Sequence, residues 1–225
     1  MIRLHHLNNS RSQRVLWLLE ELDLPYEIVF YERHPRTMLA PAELKRIHPL
    51  GKSPVLEDEG VIVAESGAIL EYLLETYGQG RFRPAVGSAD RRRFTYFMHY
   101  AEGSLMSPLL LALIFGKMPK EPMPFFVRPI VRQLSQKVFS FLITPQIKAH
   151  AEYLESELEG RDWFAGEFSA ADIQMSFPVQ ALLARGNIKS VCPRLVDFVR
   201  RFEARPAYQR ALAKGGTFEI PGDER

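Results

Sequence analysis

Three short segments carry residue types able to hold an anionic, peptide-like molecule. The first, Asn9-Ser10-Arg11-Ser12, lies where an alternating apolar run gives way to an amphipathic one, so a strand should hand over to a helix there. Unpaired backbone N–H groups and the positive end of a helix dipole meet at such a junction, and anions are favoured. Taken alone, Ser10 or Ser12 is equally an ordinary helix N-cap. The second segment, Lys52-Ser53-Pro54-Val55, opens a strand with a proline, which is compatible with pairing at that position. Local sequence leaves the Ser53–Pro54 bond open to either isomer; in the cis form the Ser53 N–H and C=O turn outward and can pair with an extended ligand by strand addition. The third, Glu65-Ser66-Gly67, starts another helix. Its hydroxyl and free N–H groups form a second anion site, and the carboxylate can accept hydrogen bonds from a ligand ammonium. By itself the pair is also a cap followed by an acid that compensates the dipole.

The elements that must position these segments follow from apolar spacing. Ile2-Arg3-Leu4 begins a strand, and Tyr26, Ile28 and Phe30 alternate along a second. Between them Val15, Leu18, Leu19 and Leu22 recur at i, i+3, i+4 and i+7 on one helix face. Strand, helix and strand in such close succession make a βαβ unit with parallel strands and a right-handed crossover. A short helical stretch over Pro41 to Ile47 follows. Then comes a hairpin of Pro54-Val55-Leu56 and Val61-Ile62-Val63 with Gly60 in its turn, and a helix carrying Leu70, Leu73, Leu74 and Tyr77. Gly78, Gly80, Pro84 and Gly87 mark a linker. Beyond it the pattern is helical throughout. One long helix runs from Ala89 to Phe115 with a kink at Pro108, and a second, Val127 to Leu158, bends or breaks near Pro145. Ser169-Ala170-Ala171-Asp172 opens a third as a capping box, with Phe168 and Ile173 at the staple positions. Leu195, Phe198, Val199 and Phe202 mark a fourth, and Pro206 opens a last short one.

Composition narrows the function classes. The 225 residues are 46% hydrophobic, enough for a substantial core, and 29 basic against 27 acidic residues leave a net charge of +2 with no basic run suited to nucleic acid. Met1 to Leu7 has none of the features of a secretory leader. The longest uncharged stretch, the 14 residues from Gly103 to Gly116, is interrupted by Pro108. A membrane span needs about 20 apolar residues, so none is expected. The single cysteine, Cys192, cannot form an internal disulfide, and no Cys/His cluster has metal-binding spacing. A reducing, cytoplasmic setting, no metal, and a buried, inert Cys192 thiol beside Pro193 are the expectations.

In combination the motifs are specific. The stretches Ser10 to Leu22, His48-Pro49-Leu50-Gly51-Lys52-Ser53-Pro54, Glu65-Ser66-Gly67-Ala68-Ile69 and Ser169 to Asp172, in that order, resemble the cytosolic glutathione transferase family over essentially the whole chain, in its serine-type, bacterial or fungal-like form. The resemblance implies a thioredoxin-like βαβαββα domain over residues 1–80 that binds glutathione. A linker over 81–88 and an all-helical domain over 89–225 follow, usually in a homodimer. Ser10 matches the position that family members use beside the glutathione sulfur and is the candidate catalytic residue. Pro54 matches the family's cis-proline, so the Ser53 backbone would pair with the cysteinyl unit. Glu65 and Ser66 would hold the γ-glutamyl end, and Lys52 would meet the glycyl carboxylate. One departure is that Met38-Leu39-Ala40 lacks the His or Gln that many relatives offer the glycyl end; His48 or Arg36 substitutes, or Lys52 works alone. Asn9 and Ser12 could share or replace the Ser10 role, and the absence of Cys near the first helix disfavours mixed-disulfide chemistry. Phe97, Tyr100, Met106 and Phe115 on the first long helix are the candidates for a second-substrate pocket.

The activity so implied is detoxification by conjugating the glutathione thiolate, glutathione being the co-substrate, to small hydrophobic electrophiles. The alternatives are a non-enzymatic interaction or regulatory protein that kept the fold, and a glutathione-dependent peroxidase or thiol oxidoreductase.

Overall fold

Strand β1 (Ile2–Leu7) is buried along nearly its whole length because it lies inside a four-stranded sheet of order β2-β1-β3-β4. The structure, a computed structural model, describes residues 1–186 and 188–216, so the end of the helical half expected over 89–225 lies outside the described residues. β1 runs parallel to β2 (Tyr26–Tyr31), with Ile2 opposite Tyr26. It runs antiparallel to β3 (Val55–Asp58), with Leu4 opposite Leu56, and β3 pairs antiparallel with β4 (Val61–Ala64). The parallel pair requires a crossover, and α1 (Ser12–Glu21) supplies it. In the β3–β4 turn both Glu59 (φ 48°) and Gly60 (φ 88°) are left-handed, the geometry that matches a two-residue loop to strand twist.

The expected alternation along β2 fails at Phe30, which is 60% exposed. β2 is an edge strand, and at its far end the Phe30 ring packs edge-to-face with His6, at 5.6 Å between centroids. The stripe of Val15, Leu18, Leu19 and Leu22 is buried as expected, and so are Leu16 and Trp17 outside it, because α8 and α10 pack on α1 as well. The stretch from Pro41 is helical in a tighter form: Leu44 and Lys45 N–H groups bond three residues back before α2 (Leu44–Ile47). α3 (Ser66–Tyr77) follows β4 directly.

The helical half answers the two proline questions in one way. α4 (Ala89–Tyr100), capped by the Ser88 hydroxyl accepting from Arg91 N–H at 3.0 Å, continues through a π-helical turn over Ala101–Leu105 into α5 (Met106–Lys117). α6 (Arg128–Val138) likewise passes through a π turn over Phe139–Ile143 into α7 (Thr144–Glu157). Each wide turn sits just ahead of a proline, Pro108 or Pro145, whose ring would otherwise crowd the carbonyl four residues back. The expected kink and break are therefore absorbed without interrupting either helix. The run Ala89–Lys120 is long and apolar enough to cross a bilayer by composition. Here Phe94, Phe97, Ala101, Leu105 and Leu109 along it are core residues, and it packs against α8 (Ala170–Gly186). α9 (Pro193–Glu203) and α10 (Pro206–Gly215) are the last helices among the described residues; Leu195, Phe198 and Phe202 of α9 are fully buried. Cys192 is 3% exposed, and burial pushes its thiol above the usual range.

Candidate functional site

The three segments meet at one end of the sheet. His5 pairs with Val55 and Val55 with Ala64, so the end of β1, the start of β3 and the end of β4 lie side by side. The Ser53–Pro54 bond is cis. Just ahead of β3, the Ser53 hydroxyl donates to the His5 carbonyl at 2.9 Å and accepts from Leu7 N–H at 3.2 Å. Its side chain thus extends the β1–β3 ladder by one rung. Among the described residues nothing bonds the Ser53 N–H or C=O.

Ser10 is carried on the turn between β1 and α1. Its Oγ lies 3.4 Å from Ser53 Oγ and 2.7 Å from Ser12 Oγ, and it accepts from Ser12 N–H at 3.2 Å. Ser10 is 7% exposed and Ser12 is fully buried. Asn9, at φ 50°, makes the left-handed step that brings Ser10 under the first turn of α1. Arg33 fastens that turn: its guanidinium donates to the carbonyls of Asn8 (3.1 Å), Asn9 (3.1 Å) and Met38 (2.9 Å), while its own N–H donates to Asn8 Oδ1 (2.9 Å). Sequence reasoning missed Arg33, because a cation just beyond a strand end carries no signal of what it will hold.

Glu65 adopts φ 72° and ψ 125°, a strained conformation for a residue with a Cβ, and its carbonyl takes Ile69 N–H at 2.9 Å to start α3. Ser66 is buried and accepts from Gln174 Nε2 of α8 at 3.4 Å. Gln174 Oε1 in turn accepts from Arg14 at 3.2 Å, and Arg14 and Arg11 both donate to Glu102 Oε1, at 2.8 and 2.7 Å. A continuous polar chain thus joins the start of α3, through α8 and α1, to the π turn that holds Glu102. Burial pushes the Arg14 guanidinium down to about 10 in spite of Glu102. Burial raises Glu102 as well, but Arg14 and Arg11 together outweigh it and hold its carboxyl below the usual range. Glu102→Gln keeps an acceptor for both arginines and removes the countercharge of a buried cation, so a stability loss of about 1–2 kcal/mol is expected by urea titration. A loss under a few tenths would mean that Arg14 is held by packing alone.

The remaining candidates are more scattered. Lys52 is exposed and makes no hydrogen bond or ion pair with the described residues, whereas His48 is half-buried and Arg36 exposed. Phe97 and Tyr100 lie in the core: the Phe97 ring packs 4.7 Å from Phe164, and the Tyr100 hydroxyl meets His150 Nδ1 at 2.5 Å. Met106 is buried as well, and Phe115 lines a separate cleft with Arg128, Arg132 and Phe139. The small cavity beside Ser10 is lined instead by Arg11, Gln13, Arg14, Trp17, Phe177 and Tyr208. Periodicity identifies which face of the first long helix is buried, not what lies beneath it. The Arg11 and Arg14 guanidinium groups lie over the Phe177 ring, 5.7 and 5.6 Å from its centre. Among the described residues no group of three or more His, Cys, Asp or Glu side chains could hold a metal ion.

Residues 1–75 match the family model described as glutathione S-transferase, N-terminal domain. Glutathione S-transferase 3 of Schizosaccharomyces pombe is 42% identical over 216 residues, covering 95% of this chain and 88% of its own length. Glutathione S-transferase 1 of Saccharomyces cerevisiae is 36% identical over 193 residues, 82% of each chain. The crystal structure of a glutathione S-transferase from Actinobacillus pleuropneumoniae superposes with a TM-score of 0.79 at 35% identity, covering 96% of this chain and 93% of that one. With the sheet order, the helical second half and these matches in agreement, the chain belongs to the glutathione S-transferase family of enzymes.

Proposed function

We propose that this enzyme conjugates the thiol of glutathione to small hydrophobic electrophiles, with Ser10 beside the sulfur. The observation that carries the reading is the meeting of Ser10, Ser53 and the Glu65-Ser66 helix start at one sheet end, with the Ser53 backbone pair unbonded among the described residues. Those two groups suit the cysteinyl unit of an extended peptide. Glu65 and Ser66 suit the ammonium and carboxylate of the γ-glutamyl end, and the unpaired Lys52 suits the glycyl carboxylate.

A thiol of reference pKa about 8.5 is mostly protonated at neutral pH. Lowering it by about two units requires about 2.7 kcal/mol. A hydroxyl hydrogen bond to a charged acceptor supplies about 1.5–3 kcal/mol and the helix terminus about 0.3–1 kcal/mol, so together they suffice to favour the thiolate. Residues 1–80 then form the glutathione-binding unit, with 81–88 as linker. Residues 89–225 provide the second-substrate wall, and Phe177 and Tyr208 beside Ser10 fit that role better than Phe97 or Tyr100. The family resemblance extends the proposal to a cytoplasmic homodimer acting in detoxification.

The test is retention of the purified chain on immobilised glutathione, its release by free glutathione, and turnover of an activated aryl halide. Retention with release and turnover is the expected result. Retention without turnover would favour a binding or regulatory role, and failure to bind would remove the proposal.

A further inference from the structure

Behind Ser10 the hydrogen bonds run on into the protein. Ser10 Oγ is 2.7 Å from Ser12 Oγ, Ser12 Oγ is 3.0 Å from His6 Nδ1, and His6 Nε2 is 2.9 Å from the carbonyl of Gly215 at the end of α10. All three side chains are more than nine-tenths buried. Proton positions along this chain are fixed by chemistry. A carbonyl only accepts, so His6 Nε2 carries a hydrogen. Burial holds the imidazole below its usual range, with the Gly215 carbonyl opposing, so His6 is neutral and Nδ1 is bare. Ser12 must then donate to Nδ1, which lies closer than its other acceptor, the Leu7 carbonyl at 3.3 Å. With that proton committed, Ser10 must donate to Ser12. The Ser53 hydroxyl proton is committed to the His5 carbonyl. Ser10 therefore presents lone pairs to an arriving thiol, and not the proton that stabilising a thiolate requires.

We propose that His6, acting through Ser12 and Ser10, accepts the glutathione thiol proton, and that the same transfer turns the Ser10 hydroxyl towards the sulfur. The inference rests on the placement of Ser10 beside that sulfur. The thiol S–H bond breaks and its proton bonds to Ser10 Oγ; the Ser10 proton passes to Ser12 Oγ, and the Ser12 proton passes to His6 Nδ1. Each hydroxyl keeps one hydrogen, no electrons are exchanged, and the products are a thiolate and an imidazolium. Afterwards the Ser10–Ser12 and Ser12–His6 bonds point the other way, Nε2 still donates to the Gly215 carbonyl, and Ser10 donates to the sulfur. Burial, which keeps the resting ring neutral, opposes the new cation; the Gly215 carbonyl and the thiolate two hydroxyls away offset it in a site where little water screens them.

No ionised side chain touches His6 among the described residues. β2 presents the Phe30 ring and α1 presents Ser12. On α10, Lys214 beside Gly215 is bound to Glu20 of α1, and Arg33 is bound to the Asn8, Asn9 and Met38 carbonyls. A Cβ on Gly215 would lie 2.5 Å from Gln13 Oε1 and 3.1 Å from His6 Cε1, so a side chain there would press on the ring that makes the chain's last link.

His6→Gln retains a donor for Gly215 and an acceptor for Ser12 but cannot take up a proton, so it separates relay from structure. Thiolate absorbance of bound glutathione, followed against pH, should show the midpoint rising by about one unit in His6→Gln and in Ser12→Ala, a tenfold loss of thiolate below it. Affinity for S-methylglutathione, which has no thiol proton, should be unchanged. Nitrogen-15 NMR of wild-type His6 should show a neutral Nε2–H ring in the free protein and with S-methylglutathione, and a doubly protonated ring with glutathione. A neutral His6 alongside a formed thiolate, or a wild-type midpoint in His6→Gln, would overturn the relay. Ser10→Ala is the separate control: if it too leaves the midpoint unmoved, the placement of Ser10 fails; if it alone moves the midpoint, only the relay fails.

Discussion

Replacing Ser10 by Ala should lower the conjugation rate at neutral pH by about 100-fold while leaving glutathione affinity within a few-fold of wild type. The asymmetry follows from where the contacts lie. In the proposed binding mode Ser10 meets the sulfur alone, whereas the Ser53 backbone, Glu65, Ser66 and Lys52 serve the rest of the tripeptide. Losing a hydrogen bond to the ionised sulfur therefore removes an interaction specific to the reactive state and leaves binding of the ground state intact. The same hydroxyl accepts from Ser12 N–H at 3.2 Å, so the variant also leaves one buried donor unpaired. That should cost about 1–2 kcal/mol of stability, which a urea titration detects and which does not account for the lost rate. The decisive measurement is the pH profile of kcat, whose acid limb should move upward in Ser10→Ala. Turnover within twofold of wild type and an unmoved profile would pass the role to Asn9 or Ser12.

The parts of the molecule that could be read from the residues are those with a local physical cause. Val15, Leu18, Leu19 and Leu22 form one face of a helix whatever lies opposite. Asp58 to Gly60 turns because Gly60 accepts a positive φ, and Asp172 three residues after Ser169 reaches back to the Ser169 N–H and hydroxyl on its own. The parallel β1–β2 pair follows from the length of the crossover between them. What could not be read depends on partners far apart in the chain. Glu102 reaches Arg14 across 88 positions, and His6 reaches Gly215 across 209; neither contact leaves a periodic trace. The second-substrate candidates show the same dependence: Phe97 and Tyr100 have core-like spacing and lie in the core, whereas Phe177 and Tyr208 reach the Ser10 cavity because α8 and α10 pack on α1. Pro108 was legible as a disturbance in the helix, but its form was not, since a π turn is selected by how the rest of the helix is already packed.

Asp172→Ala should be the most damaging single change to the fold, with an expected loss of about 3–5 kcal/mol in urea denaturation. The side chain is fully buried, and its two oxygens accept from three donors: Phe164 N–H at 2.9 Å, Ser169 N–H at 2.9 Å and the Ser169 hydroxyl at 3.1 Å. Alanine would leave both backbone N–H groups without a partner and out of reach of water. It would also release the segment carrying Phe164, whose ring packs against Phe97 and Phe198 at 4.7 and 4.9 Å. A loss below about 1 kcal/mol would show that the segment finds other partners. The carboxyl adds a pH dependence of definite sign. Burial pushes it up to about 7, against the opposing backbone donors of Phe164 and Ser169, whereas in the unfolded chain an aspartate titrates near about 3.9. Between those values the folded protein holds a proton that the unfolded chain releases. Its contribution to stability is therefore complete below about pH 4 and is lost as the pH rises towards 7. Asp172→Asn cannot titrate, so its stability between pH 4 and 7 should lack that decline, although one of the N–H groups would then face an amide NH2. Parallel pH–stability curves for the wild type and Asp172→Asn would mean that the carboxylate is ionised throughout, with its three donors outweighing burial.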